Sequence, residues 1–260
     1  EGPTRISWSI GPVLPGAQSA LGTTVVGDSI VVVGGTYWVG PRDGVPTKIW
    51  ATKVWRLDTG TKQWSELPDY PLPTGYCFAV GVGQKLYVSG GMNANEGHAE
   101  TFILDLAQKN PSWTPGPPLP KPRWTHHGGV SNGVIYIAAG TEGDPSLQGD
   151  AQPASDVLAL DTRNLDKGWR YVANVPHPEI EWRSGTVCNG KLYLFGGLLG
   201  DPDFVEAERL VRAWHNVAPL IPRADSFALD LASGSWERIR RLPIAMGSGG
   251  CAAIDDNHII

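Results

Sequence analysis

Charge is scarce in this chain. Only 18% of its 260 residues are Asp, Glu, Lys or Arg, and the net charge is −5. No Lys/Arg cluster or stripe interrupts that balance, so a nucleic-acid partner is disfavoured. There is no run of 18 apolar residues of the kind a membrane-crossing helix needs. Cysteine is sparse too: Cys77, Cys188 and Cys251 form no CxxC and have no His at ligand spacing. An odd count gives no secreted-type disulfide framework, although one bridge stays open, and small buried hydrophobes are the simplest reading. The one Asn-x-Ser/Thr match, Asn110-Pro111-Ser112, is blocked by its proline.

What is abundant points elsewhere. Thirty-three Gly, 22 Pro and 11 Trp imply many short strands and tight turns. Lys191–Gly197 (KLYLFGG) has near-copies at Lys85–Gly91, Val134–Gly140 and Ser29–Gly35. Each is a short β-rich apolar run that stops on glycine, which reads as a buried strand ending in a tight turn. A second landmark is a tryptophan followed by a Leu-Pro exit: Trp8…Leu14-Pro15, Trp64…Leu67-Pro68, Trp113…Leu119-Pro120 and Trp236…Leu242-Pro243, with Trp169…Val175-Pro176 as a weaker copy. Between glycine turn and Trp lies another strand ending in an acidic turn, at Asp58, Leu106, Asp161 and Leu231. Upstream of each glycine turn lies a Gly-rich strand, at Gly22–Val26, Gly75–Val82, His126–Val130 and Gly185–Cys188. Four strands per unit, repeated, describe the blade of a β-propeller. Its innermost strand is crowded by its counterparts, hence the glycine, and the Trp can fill the gap between blades.

In their order, these motifs resemble the Kelch repeat, with the best copies at Arg183–Trp236 and Gly75–Trp113. The resemblance implies an all-β, Kelch-type β-propeller. It would have four complete four-stranded blades, at about residues 16–68, 69–120, 121–176 and 177–243, plus partial strands at both ends. Residues 1–260 then form a single incomplete domain, a fragment of a ring expected to have six blades. Residues 198–225 form an inserted loop with helical character: Asp201 caps, Pro202 suits the first helical position, and Phe204, Ala207, Val211 and Trp214 share one face.

Strands run up and down from the axis outward, so the loop leading into the inner strand and the loop after the glycine turn open on one face. That face would gather Arg123, Trp124, Glu181, Trp182 and Arg183 with Tyr37, Trp38, Arg42, Asn93, Asn95 and Glu142. Aromatics stack on sugar rings, amides meet hydroxyls, and arginine grips a carboxylate with two parallel hydrogen bonds. An arginine at this position can equally hold neighbouring backbone. His126 and His127 adjoin on a predicted strand and point to opposite faces, so they cannot share one metal ion. Glu142, in AAGTEGD, is the carboxylate best placed for acid–base work, against the alternative of a solvated loop glutamate.

Within the Kelch class, YVSGGMNAN (Tyr87–Asn95), Gly140-Thr141-Glu142 and the long loop after Gly197 resemble the N-acetylneuraminate epimerase (sialic acid mutarotase) group. That resemblance implies interconversion of sialic acid anomers without metal or organic cofactor. Glu142 would move protons and Trp38, Trp124 or Trp182 would stack. The group's arginine further along the same loop is missing from Gly143–Gln148, so the carboxylate clamp falls to Arg123, Arg183 or Arg42. A periplasmic or extracellular setting follows from the resemblance alone. The alternatives are a non-catalytic module that holds a protein partner on the same face and a carbohydrate-binding ancillary domain.

Overall fold

The apolar runs that end on glycine are the second strands of four antiparallel sheets. In a computed structural model, residues 7–40, 45–147, 150–181, 183–200 and 220–260 are described. The first sheet orders Gly22–Val26, Ser29–Val33, Val54–Asp58 and Trp64–Leu67; the second, Phe78–Val82, Lys85–Ser89, Thr101–Asp105 and Trp113–Pro115. The third orders His127–Ser131, Val134–Ala138, Asp156–Asp161 and Arg170–Asn174; the fourth, Ser184–Cys188, Lys191–Phe195, Ser226–Asp230 and Trp236–Arg238. These are the blades of a Kelch-type β-propeller. The single helical element among the described residues is a 3-10 turn, Leu165–Lys167.

Contacts divide the chain into two compact units. One is Glu1–Trp124 with Gly143–Asp150 and Thr162–Trp169; the other is Thr125–Glu142 with Ala151–Asp161 and Arg170–Ile260. In the first unit Val31, Val33, Leu86, Val88 and Leu104 share one core with Tyr70 and Cys77. In the second, Ala138, Val157, Leu192, Leu194 and Leu229 share another. The second strands of the first three sheets are buried on both faces, which is why their sequences run apolar without alternating, whereas Lys191–Phe195 alternates between buried and half-buried positions.

First and second strands are joined by two-residue turns, which fix the register at Ser131↔Val134 and Cys188↔Lys191. Both turns are Asn-Gly with positive φ throughout (Asn132 50°, Gly133 74°; Asn189 45°, Gly190 71°), as a tight hairpin on right-twisted strands requires. The acidic turns hold themselves. Asp58 Oδ1 accepts from the Thr61 amide and hydroxyl, and Asp230 Oδ1 accepts from the amides of Ala232 and Ser233. These hydrogen bonds favour the charged form and hold both carboxyls below the usual range.

Inner strands meet backbone to backbone within each unit. A Cβ on Gly81 would lie 2.0 Å from the Val25 carbonyl oxygen, and one on Gly129 would lie 2.8 Å from the Val187 nitrogen. The tryptophans do more than fill space, for each indole N–H donates to a carbonyl near an earlier Leu-Pro or Val-Pro exit. The pairs are Trp64 to Pro12 (3.4 Å), Trp113 to Pro68 (2.9 Å), Trp169 to Pro117 (3.0 Å) and Trp236 to Asn174 (2.7 Å).

The double glycine carries the tightest constraint. In the first unit Gly34 and Gly35 have φ of 59° and 100°, and Gly90 and Gly91 have 63° and 97°; Gly196 and Gly197 repeat the pattern in the second. The first amide of each pair donates within its blade, to Lys53, Glu100 and Asp225. The second donates to the lead-in loop of the following repeat: Gly35 to Thr74 (2.7 Å), Gly91 to Arg123 (2.8 Å) and Gly197 to Met246 (2.9 Å).

Near the chain ends, residues 7–15 carry no strand, and Trp8, Ile10 and Val13 are exposed. Residues 246–260 lie against the fourth blade, where Ser184 Oγ donates to the Gly249 carbonyl and Cys188 Sγ to that of Asp255. Ala253 and Ile259 pair in an antiparallel bridge. After Gly197 the insertion leaves and returns as a hairpin, Leu198–Gly200 against Leu220–Pro222. The helix expected from Phe204, Ala207, Val211 and Trp214 lies outside the described residues.

Gly34 and Gly83 share the same φ (59° and 60°), but a Cβ at Gly34 would lie 2.6 Å from the Thr74 carbonyl oxygen, whereas nothing lies within 4 Å at Gly83. Gly83→Ala should therefore cost about 1 kcal/mol from backbone strain alone. Gly34→Ala should cost about 1–3 kcal/mol more, because backbone has to move. Urea unfolding of both variants measures the difference, and equal losses would mean that the double-glycine turn is not a steric constraint.

Candidate ligand-binding face

The lead-in loop and the segment after the glycine turn pair directly. In the first unit Ser19 bridges Thr36 and Gly75 bridges Met92; in the second Ile180 and Glu181 pair with Leu199 and Leu198. Both loops thus sit at one end of each blade, the end to which the sequence assigned a ligand. Three of the four post-turn segments enter short antiparallel strand pairs: Thr36–Val39 with Thr47–Trp50, Thr141–Glu142 with Gln152–Pro153, and Leu198–Gly200 with Leu220–Pro222.

In the first unit Tyr37 and Trp38 occupy the first of these hairpins and are exposed at 39% and 53%. Asn93 is half-buried and shapes its own turn: its Oδ1 accepts from the amides of Asn95 (2.8 Å) and Glu96 (3.1 Å), and its Nδ2 donates to Glu96 Oε1. Asn95 is exposed. Arg123 and Trp124 are both buried, and Trp124 lies against Gly97, whose Cβ would meet the indole at 3.0 Å. A ring packed there has no free face for stacking.

In the second unit Glu142 is half-buried in its hairpin, paired in register with Gln152. Arg183 is 1% exposed. Its Nε donates to the Ile180 carbonyl (3.1 Å) and its Nη2 to those of Pro176 and His177 (2.8 Å each), with the guanidinium 5.4 Å from the Phe227 ring centre. Burial brings its pKa down to about 10, so the group is still charged at neutral pH. A guanidinium held this way fastens its own lead-in loop. Trp182 lies outside the described residues, as does Arg42.

Sequence reasoning missed two clusters. Asp225, nearly buried, meets Arg223 (3.1 Å), Arg238 and Arg241 (3.8 Å). Burial alone would raise its pKa, but the arginines, Arg238 foremost, hold it below the usual range. The other cluster surrounds Lys48, whose Nζ lies 4.5 Å from the ring centre of Trp50, 4.9 Å from that of Tyr76 and 5.8 Å from that of Trp38. Nζ also donates to Tyr76 Oη at 2.9 Å. The alternation Lys48-Ile49-Trp50 was the available signal, since period 2 puts Lys48 and Trp50 on one face.

His126 is buried, and His127, at the head of its strand, has its pKa lowered to about 4 by burial. Among the described residues no three His, Cys, Asp or Glu side chains form a group able to hold a metal ion. The thiols of Cys77 and Cys251 are pushed up to about 12 by burial, so neither is a thiolate at neutral pH. No helix among these residues is long and apolar enough to cross a membrane. At the other end of the second unit's strands lies a cavity of about 610 Å³, between Ser131–Asn132, Asn189–Gly190 and Asp255–Asp256.

No family model matches the chain. It is similar to N-acetylneuraminate epimerase 1 of Escherichia coli O6:H1, 26% identical over 144 residues, covering 55% of this chain and 32% of that protein. It is also similar to human Kelch-like protein 15, at 28% over 207 residues, covering 75% of this chain and 32% of that protein. Human Kelch-like protein 23 matches at 22% over 297 residues, covering 87% and 50%. The chain therefore spans a third to a half of the length of these curated relatives. The Kelch repeat is what the sequence, the four sheets and these relatives have in common, with the epimerase a looser relative.

Two outcomes follow from the buried groups. Arg183→Lys should lower stability by about 2–4 kcal/mol, because an ammonium cannot reach three carbonyls in that fork geometry; an unchanged urea midpoint would show that Arg183 is not holding the loop. His127 has a folded pKa below its unfolded value, so its contribution is intact above pH 6.5 and is lost as pH falls towards 4. By pH 5 that loss should reach about 2 kcal/mol. Unfolding curves at pH 7 and pH 5 should show it in the wild type and not in His127→Gln.

Proposed function

We propose that this protein binds a carbohydrate at the end of its blades where the lead-in loops and post-turn hairpins lie. More finely, it binds a sialic acid and catalyses interconversion of the sugar's anomers. The observation that carries this reading is the placement of Glu142, half-buried in the hairpin that directly follows the third glycine turn. The similarity to an N-acetylneuraminate epimerase supports it.

The reaction is redox-neutral. Glu142 takes the proton from the anomeric hydroxyl while a second acid delivers one to the ring oxygen. The ring C–O bond breaks and the anomeric carbon becomes a ketone. Rotation about the adjoining bond presents its other face, and the same two proton transfers in reverse reclose the ring. In the first unit Trp38 offers an exposed aromatic surface of the kind on which a sugar ring stacks, which Trp124 does not.

A second reading, a non-catalytic module that holds a protein partner at this end of its blades, is favoured by a different observation. Tyr37 and Trp38 are exposed at 39% and 53% on opposite sides of their strand, and exposed aromatics of this kind are enriched at protein interfaces. Proton NMR separates the two. Sialic acid freshly dissolved as one anomer should exchange faster with the protein than in buffer, and Glu142→Gln should slow that exchange about 100-fold or more. Exchange at the buffer rate with the wild type would reject the catalytic reading. Saturation transfer from protein to sugar then tells whether binding remains.

A further inference from the structure

Period 2 in the hairpin Thr36–Val39/Thr47–Trp50 puts Trp38 directly opposite Lys48, with Trp50 two residues beyond on the same face. Tyr76 closes the group from the lead-in loop of the next blade and packs edge-on to Trp50 at 6.1 Å. The Lys48 ammonium therefore sits among three rings and is held by one hydrogen bond to Tyr76 Oη. An ammonium has three N–H donors, so two remain. Among the described residues no carboxylate pairs with Lys48. The rings stabilise the positive charge without neutralising it.

Lysine ordinarily loses considerable side-chain freedom when it grips a ligand. Here folding has already fixed it, so the charge is preorganised. The neighbouring Trp38, at 53%, is the most exposed of the three hairpin aromatics and offers surface for a sugar ring. Arg183, by contrast, is committed to three carbonyls.

The geometry points to Lys48 as the group that grips the carboxylate of a sugar acid, with the sugar ring lying on Trp38. This assignment rests on the sugar-acid reading above and specifies the side chains that recognise the acid. It makes Lys48 a specificity-determining residue: a carboxylate gains a charge-assisted hydrogen bond there, and a neutral ester of the same sugar does not.

Titration calorimetry with N-acetylneuraminate and with its methyl ester tests this on the full chain. The wild type should prefer the acid by about tenfold or more. Lys48→Met keeps the apolar stem over the rings and should bind acid and ester alike, while Lys48→Arg should retain a preference. If Lys48→Met does not fold, as its melting curve would show, Lys48→Gln replaces it. Equal binding of acid and ester by the wild type, or a preference for the acid that survives in Lys48→Met, overturns the role of Lys48 and leaves the sugar reading standing. Binding of neither compound by the wild type overturns both.

Discussion

The interaction on which the rest depends is the pair of amides in each double glycine. Consecutive residues at positive φ turn the chain so that one N–H closes its own blade and the next reaches the following repeat. A side chain would obstruct this. A Cβ on Gly91 would stand 2.2 Å from Thr74 Oγ1, and one on Gly196 would stand 2.3 Å from the Met246 carbonyl. The carbonyl accepting the second hydrogen bond belongs to a lead-in loop, so the turn that ends one strand also sets where the next inner strand begins. The inner strands are drawn close, which is why Gly81 and Gly129 face a neighbour's backbone. The tryptophans at the far side of the sheets fasten the outer edge with single hydrogen bonds. Blade geometry is therefore fixed by backbone groups at the inner edge and by indole-to-carbonyl hydrogen bonds at the outer one.

That division decides which polar residues are available for ligand chemistry. Arg183 is 1% exposed and spends its Nε and Nη2 on its own loop's carbonyls, although its Nη1 is buried without a hydrogen-bond partner. Asn93 is largely spent on its turn in the same way. The hairpins after the glycine turn differ in that their backbones are already paired across the hairpin. Trp38, Lys48 and Glu142 all stand on such hairpins.

The repeat was legible because its signals are local and physical: an apolar run buried on both faces, glycines that the turn requires, an Asp such as Asp58 or Asp230 that closes the next turn. Strand positions in the four sheets follow the sequence closely for that reason. The hairpins were not legible. Thr36–Val39 is four residues long, and its pairing is completed from a distance, by the bridge from Ser19. Nor could the sequence separate an arginine that grips a ligand from one that grips backbone, because the difference lies in which carbonyls Pro176, His177 and Ile180 present to it. Lys48 was overlooked because it stands ten positions after Trp38, and only the register of the hairpin brings them opposite each other.

A repeated backbone offers equivalent positions in every blade, so any selectivity for a ligand has to arise where the copies depart from one another. The segments after the four glycine turns read Thr36-Tyr37-Trp38, Met92-Asn93-Ala94, Thr141-Glu142-Gly143 and Leu198-Leu199-Gly200. They share almost no chemistry, although the backbone beneath them is built alike. A partner that repeats along its length would be met best by matching side chains at matching positions. A small molecule with a carboxylate, hydroxyls and an apolar ring face is met best by unlike ones. The unlikeness of these four segments, laid over the likeness of the turns that hold them, is the physical ground on which a compact ligand is proposed rather than a repeating one.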